Sequence, residues 1–267
     1  AGAFAIVTKP KLGLKQFLQD SSDDVISAVK AAAGANVKRL VARGVPTPLA
    51  PLVRQKFTAD VILSPGESNA MVQTTERVVA IGTSTGGTQA LEEVLVALPR
   101  VAPGIVIVQH MPEKFTAEFA ARLNTLCQIE VREAQHKDRV VQGLALIAPG
   151  GKHMLVEQRA AGGAIIRLDD GPPENSCKPA VDPMLRSLAK TFGERLLVVI
   201  LTGMGCDGLK GSQTVIEEGG RVLAQDRESS VVWGMPGAVA QAGLCEEILP
   251  LWQIGAAIAR IAGGEGK

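Results

Sequence analysis

The sequence predicts an α/β protein: a doubly wound, mostly parallel sheet with helices on both faces and a short antiparallel ribbon. Three observations predict it. Strand and helix signals alternate from Arg77 onward, as they do when a parallel sheet is covered on both faces. Arg195 to Thr202 (Arg-Leu-Leu-Val-Val-Ile-Leu-Thr) is a continuous apolar run, suited to a central strand buried on both sides. Leu144 to Ala148, Met154 to Val156 and Ile165 to Leu168 follow one another through Gly-rich turns with no helix between them, which predicts a ribbon outside the parallel core.

In order along the chain, Ala3 to Thr8 has a buried-strand pattern closed by Lys9-Pro10, and Asp23 to Ala33 reads as a short helix ending at Gly34. Residues 34–75 hold Pro46, Pro48, Pro51 and Pro65 among brief apolar clusters, which is how a linker reads, and a third unit is expected over residues 76–267. Within it, Val78 to Ile81 is a strand and the periodic apolar residues Leu91, Val94, Leu95 and Leu98 a helix. Ile105 to Val108 is the next strand, Phe115 to Leu126 a helix and Ile129 to Arg132 a strand. Asp182-Pro183 is expected to open a helix, with aspartate as cap and proline at the first position, that ends at Gly193. After the Arg195–Thr202 strand come a helix closing near Gly219-Gly220, a strand from Arg221 to Ala224, a helix opened by Met235-Pro236, the short strand Ile248-Leu249 and a helix from Trp252 to Ala262.

Composition removes several classes of function. The 28 basic and 27 acidic residues nearly cancel, so the electrostatic footprint of a nucleic-acid binder is missing. There is no tyrosine and only 3% of residues are aromatic, which leaves little for base stacking or sugar shelves. Cys127, Cys177, Cys206 and Cys245 are scattered, with no C-x-x-C pair and no histidine at metal-ligand spacing, so neither a metal site nor a disulfide framework is expected. A reducing, cytoplasmic location fits. No apolar run approaches the roughly 20 residues of a membrane span, and insertion in a membrane is not expected. The sequence opens on Ala1 rather than methionine, which fits a fragment or a processed chain.

Gly82-Thr83-Ser84-Thr85-Gly86 fits G-x-S-x-G, where glycines flank a nucleophile on a sharp strand-to-helix turn. The plainer reading is that Ser84 caps the following helix, and alone the motif serves both readings equally. Topology shifts the balance. A right-handed strand–helix–strand unit returns the chain to the same sheet edge, so His110, directly after its strand in Gln109-His110-Met111-Pro112, should stand beside Ser84. Adjacent strands are about 4.8 Å apart, within reach for side chains leaving neighbouring ends. His136 lies in a polar loop, and His153 is either structural or lines a substrate groove. Asp207, in Gly203-Met204-Gly205-Cys206-Asp207-Gly208, leaves a third strand at the same edge and is the best orienting carboxylate, although an N-cap role would also account for it. Asp138, Asp182 and Asp226 are weaker candidates. The same loop exposes amides suited to a developing oxyanion, with the NH of Met204 as candidate donor.

Six co-linear stretches between about Arg77 and Arg260 resemble the CheB family of chemotaxis receptor methylesterases. They are Gly82 to Gly87, Gln109 to Pro112, Ala148 to His153, Lys178 to Asp182, Leu201 to Gly208 and Gly234 to Ala238. The opening strand with Lys9-Pro10 likewise resembles the last strand and helix of a response-regulator receiver domain, whose earlier part with its phosphoacceptor aspartate is absent. The resemblance implies a Ser84–His110–Asp207 triad, with Met204 and Thr85 on the oxyanion and substrate-binding side, and no metal or cofactor. It implies hydrolysis of γ-glutamyl methyl esters and deamidation of glutamines on the cytoplasmic helices of chemoreceptors, with phosphorylation control through a receiver mostly missing from this chain.

Two other readings stand beside it. A Rossmann-like nucleotide-binding module would use the Gly82–Gly87 loop to cradle a phosphate, but it asks for an acidic residue at the end of the second strand, where this chain has Gln109-His110. An inactive scaffold would keep the fold without the chemistry. The order Ser, His, Asp also differs from that of α/β-hydrolases.

Overall fold

The computed structural model describes residues 77–159 and 162–262. The receiver-like segment with Lys9 and Pro10, and the linker after it, lie outside the described residues.

Among the described residues seven strands form one parallel sheet. They are β1 (Val78–Thr83), β2 (Gly104–Gln109), β3 (Glu130–Glu133), β4 (Leu144–Ile147), β7 (Leu196–Ile200), β8 (Arg221–Gln225) and β9 (Glu247–Leu249), in the spatial order β3-β4-β2-β1-β7-β8-β9. The helices are α1 (Gly87–Val96), α2 (Glu113–Leu126), α3 (Val181–Phe192), α4 (Leu209–Glu217), α5 (Met235–Gln241) and α6 (Leu251–Ala262). β5 (His153–Gln158) and β6 (Ala164–Asp169) pair antiparallel with each other, apart from the main sheet.

Successive strand residues point to opposite faces, and the continuous apolar runs are what a sheet covered twice requires. Val79 and Ile81 of β1, with Ile105 and Ile107 of β2, pack under Leu91 and Leu95 of α1, Leu123 of α2 and Ile258 of α6. Val78 and Ala80, with Val106 and Val198, pack against Val181, Leu185 and Leu188 of α3, Val215 of α4, Val239 of α5 and Met154 of the ribbon. The result is three layers, with β1 in the middle of the middle layer.

One expectation is corrected. Leu144–Ile147 is not part of the ribbon but a strand of the parallel sheet, paired with β2 on one side and β3 on the other. No helix joins β3 to β4; the loop 134–143 makes the crossover by lying along the ribbon. Lys137 N donates to Ile166 O at 2.8 Å, Ile166 N to Asp138 O at 2.8 Å and Val140 N to Ala164 O at 3.0 Å. The ribbon edge thus satisfies the loop's backbone in place of a crossover helix.

A second correction concerns Asp182, which does not cap its own helix. Ala180 precedes α3 without a side-chain cap, and Asp182 and Pro183 are the second and third helical residues. Gly193, at φ 51°, ends the helix as the pattern implies.

The chain runs from β1 outward through β2 on one side and from β7 through β8 and β9 on the other, so strand order reverses between β1 and β7. In open α/β sheets the crevice beyond the carboxyl ends at such a reversal is where ligands bind.

Ile81 is fully buried between Ile107 and Val199 at the centre of this arrangement, and Ile81→Ala should cost about 2–5 kcal/mol in urea unfolding. Trp252 is 61% exposed, and Trp252→Gln should change stability by less than about 0.5 kcal/mol in the same measurement.

Candidate active site

The turn after β1 is shaped by what surrounds it. Gly86 takes the left-handed φ of 82° and precedes α1 with no side-chain cap, so Ser84 is not the helix cap. Its backbone O accepts from Gly87 N at 2.8 Å and from Gln109 Nε2 at 3.0 Å, and its N donates to Thr202 O at 3.1 Å. A Cβ on Gly87 would stand 2.1 Å from Gln109 Oε1 and 2.2 Å from Thr83 Oγ1, so only glycine lets α1 start this close to the strand ends.

β1 and β2 run in register, Thr83 opposite Gln109, which puts Ser84 and His110 side by side as the chain leaves the sheet. Gln109 spans them, its Nε2 also donating to His110 O at 3.0 Å. Thr83 Oγ1 donates to Thr202 O at 2.8 Å and Thr202 Oγ1 to Thr85 O at 2.9 Å, which ties the turn after β1 to the end of β7.

Asp207 arrives from β7. Its Oδ2 accepts from His110 Nε2 at 2.8 Å. The same oxygen accepts from Val181 N at 2.6 Å, while Oδ1 accepts from Asn175 Nδ2 at 2.8 Å, Gly208 N at 3.0 Å and Asp182 N at 3.1 Å. Asp207 therefore caps α3, taking from its own following loop only the Gly208 amide. Asp182 returns the arrangement: its Oδ1 accepts from Gly208 N at 3.0 Å and Gly211 N at 2.7 Å at the start of α4. Asn175 joins the two carboxylates, donating to Asp182 Oδ2 at 2.9 Å as well.

The other ring nitrogen of His110 faces a residue that the sequence did not single out. Cys177 Sγ lies 3.5 Å from His110 Nδ1. Ser84 Oγ and His110 are not hydrogen-bonded to one another among the described residues. The Asp207–His110 contact is thus closed, and the thiol holds the nitrogen that faces away from Asp207.

Burial of the ring disfavours its charged form, but the hydrogen bonds to Asp207 and Cys177 and the charges beside it win, lifting His110 from 6.5 to about 9. Burial pushes Asp207 up, yet the hydrogen bond and charge of His110 and the Val181 and Asp182 amides hold its carboxyl below the ordinary value. Burial raises Asp182, against the pull of Gly211 N and Asn175 and with the push of the Asp207 charge.

The remaining histidines have other work. His153 is buried, its Nε2 donating to Pro172 O at 2.9 Å and its Nδ1 accepting from Ala180 N at 3.2 Å, so it braces the loop 170–180. His136 is exposed. Met204 and Thr85 are half-buried on the loops that flank Ser84, and the Met204 amide makes no hydrogen bond to another described residue.

Residues 79–258 match the CheB methylesterase family model. The chain belongs to the CheB methylesterase family. A protein-glutamate methylesterase/protein-glutamine glutaminase of Albidiferax ferrireducens is 60% identical over 265 residues, which cover 98% of this chain and 73% of the relative. The one of Xanthomonas campestris pv. campestris that bears the same name is 58% identical over 251 residues, 94% of this chain and 70% of the relative. Among solved structures, the CheB methylesterase catalytic domain of Thermotoga maritima aligns with a TM-score of 0.68 at 38% identity, covering 69% of this chain and 98% of that domain. Nothing found favours a nucleotide-binding module, and no helix among the described residues is long and apolar enough to cross a membrane.

Three residues of this cluster carry no motif of their own in the sequence: Asn175, Gln109 as a bracket, and Cys177. The signal for Cys177 was its place beside the Lys178–Asp182 stretch, read only as one of four scattered cysteines.

The imidazole of His110 should titrate at about 9 by NMR, and in Asp207→Asn it should fall by more than about one unit because the partner that offsets burial is neutralised. Since the folded value lies above the unfolded one, the contribution of His110's protonation to stability is complete below about 6.5 and is lost as pH rises through about 9.

Proposed function

We propose that this chain is a protein-glutamate methylesterase and protein-glutamine glutaminase that works by serine acyl transfer, with Ser84 as nucleophile, His110 as base and Asp207 as its orienting partner. The observation that carries the reading is the 2.8 Å bond between His110 Nε2 and Asp207 Oδ2 at the rim where Ser84 leaves β1. The names of the relatives supply the reaction class.

Ser84 Oγ attacks the side-chain carbonyl of a glutamyl methyl ester while His110 Nδ1 accepts its proton. The tetrahedral oxyanion is met by the amide of Met204, with Thr85 on the same side of the cleft. Collapse expels methanol, or ammonia from a glutamine, as His110 returns the proton. Water enters by the same steps in reverse and releases glutamate. Every group in the sequence belongs to this chain or to water. The substrate is the methylated cytoplasmic helix of a chemoreceptor, which makes this a cytoplasmic protein. Residues 1–33 are the end of a receiver domain and 34–75 its linker to a catalytic unit of residues 76–267. Phosphorylation of the receiver in the longer protein would control access.

One observation favours a second reading of the nucleophile. Cys177 Sγ, not Ser84 Oγ, holds the hydrogen-bonding position at His110 Nδ1. A fluorophosphonate probe separates the two, since peptide mapping should find the label on Ser84, and a label on Cys177 would replace serine by thiol chemistry.

Ser84→Ala should abolish methanol release from methylated receptor membranes, and Asp207→Asn should lower turnover by about 10⁴. The rate should climb with pH and level off above about 9, because His110 must shed its proton to act as a base, and the inflection should move to lower pH in Asp207→Asn. Unimpaired hydrolysis by Ser84→Ala would end the serine assignment.

A further inference from the structure

Cys177 has no part in the serine mechanism, yet the fold holds its thiol in the site. Glu174 and Cys177 exchange backbone hydrogen bonds of 2.9 and 3.1 Å, closing a tight turn. Inside it Asn175 and Ser176 both take left-handed φ values, 52° and 61°. Such non-glycine conformations are costly and persist only where surrounding contacts impose them. Here those contacts are Asn175 to Asp207 at 2.8 Å and the two-pronged Arg186–Glu174 pair at 2.7 and 2.6 Å. The outcome is a half-buried sulfur 3.5 Å from His110 Nδ1. One donor atom from each of His110, Cys177 and Asp207 lies within 4.8 Å of the other two.

We propose that His110, Cys177 and Asp207 form a site for a divalent cation of borderline softness, best matched by Zn²⁺, whose occupation silences the enzyme by taking the lone pair of His110. The silencing rests on the reading of His110 as the base; the binding does not. Zinc holds thiolate sulfur at about 2.3 Å and imidazole nitrogen at about 2.0–2.1 Å in tetrahedral geometry, so two such ligands stand about 3.5 Å apart. Cys177 Sγ and His110 Nδ1 already have that spacing. Asp207 grips the opposite nitrogen at 2.8 Å, which is how a carboxylate orients a metal-bound histidine. Water fills the remaining positions. The thiol proton, and that of the imidazolium where the ring is charged, leave to solvent as the sulfur–metal and nitrogen–metal bonds form, and no electron changes hands. The thiolate and imidazole favour zinc-like ions over Mg²⁺ or Ca²⁺, which prefer oxygen. The two ligands, at positions 110 and 177, and the orienting carboxylate at 207 sit far apart in sequence, so no short spacing announced them.

Titration of the full chain with Co²⁺, a visible stand-in for zinc, tests the site directly. A thiolate-to-metal charge-transfer band should saturate at one ion per chain, vanish in Cys177→Ser and His110→Ala, and survive in Cys206→Ser. Zn²⁺ should inhibit ester hydrolysis reversibly by chelator, and half-inhibition in Cys177→Ser should need more than the roughly tenfold extra metal that losing an outer-shell partner requires. No band in the native chain, or a band that persists in Cys177→Ser, overturns the proposal. If the variants fail to fold, alkylation decides: Zn²⁺ should shield Cys177, but not exposed Cys206, from iodoacetamide in the native chain, and unshielded Cys177 overturns the site. A normal band in a chain without esterase activity would refute the hydrolase reading and leave the metal site standing.

Discussion

Two helices meet by their N-termini at the carboxyl edge of the sheet, each capped by an aspartate from the other's side. Asp207, from the loop entering α4, accepts from the first amides of α3, and Asp182, in the first turn of α3, accepts from the start of α4. Both carboxylates are almost fully buried, which would be costly if either lacked donors. The exchange supplies them, and the positive ends of two helix dipoles face the charges they hold. Hydrogen bonds to ionised groups are worth about 1.5–3 kcal/mol each, so the pair fixes the relative position of α3 and α4 more firmly than apolar packing alone would. Asn175, with one amide proton for each carboxylate, ties the loop 170–180 to the same knot. With Asp207 so restrained, the ring of His110 has one place to put Nε2.

The sheet carries that local order to Ser84. Because β1 and β2 are in register to their last residues, and Gln109 brackets the two exit carbonyls, the serine and histidine turns cannot slide relative to each other without breaking buried bonds. Thr83 and Thr202 add the same restraint between β1 and β7. That placement comes from strands buried on both faces, which is the rigidity that catalysis by positioned groups would need.

Much of this was legible in the residues. The β-branched run ending at Gly82-Thr83-Ser84, the strand that delivers His110 and the apolar run before Asp207 each report a strand end at one edge, because side-chain period and topology are local or nearly so. The ribbon was drawn one strand too wide for a physical reason. Leu144–Ile147 joins a parallel sheet without a crossover helix, and what replaces the helix is backbone bonding between loop 134–143 and β6, which leaves no periodic trace. Asp182 misled in a related way. An Asp-Pro pair at a helix start reads as a cap, and a cap it is, but for a helix that begins 27 residues later in the chain at Leu209. Cys177 was invisible because its importance lies in a turn geometry imposed from outside by Asn175 and Glu174.

The strength of the Asp207–His110 pair cuts two ways. At about 9, the imidazole is a free base in only about one chain in a hundred at neutral pH. On the serine reading proposed above, the same interactions would make it a stronger base once the proton is gone, and would stabilise the imidazolium formed as a serine proton is transferred, which is where binding energy lowers a barrier. Cys177 shifts this balance, since its hydrogen bond and charge are among the causes that raise the ring. Moving the thiol away from Nδ1 removes those causes and uncovers the lone pair in a single step. Under the proposed roles, whatever occupies the cleft acts on the base through the sulfur: a substrate that displaces the thiol would ready His110, whereas an ion that binds the thiol would take His110 with it.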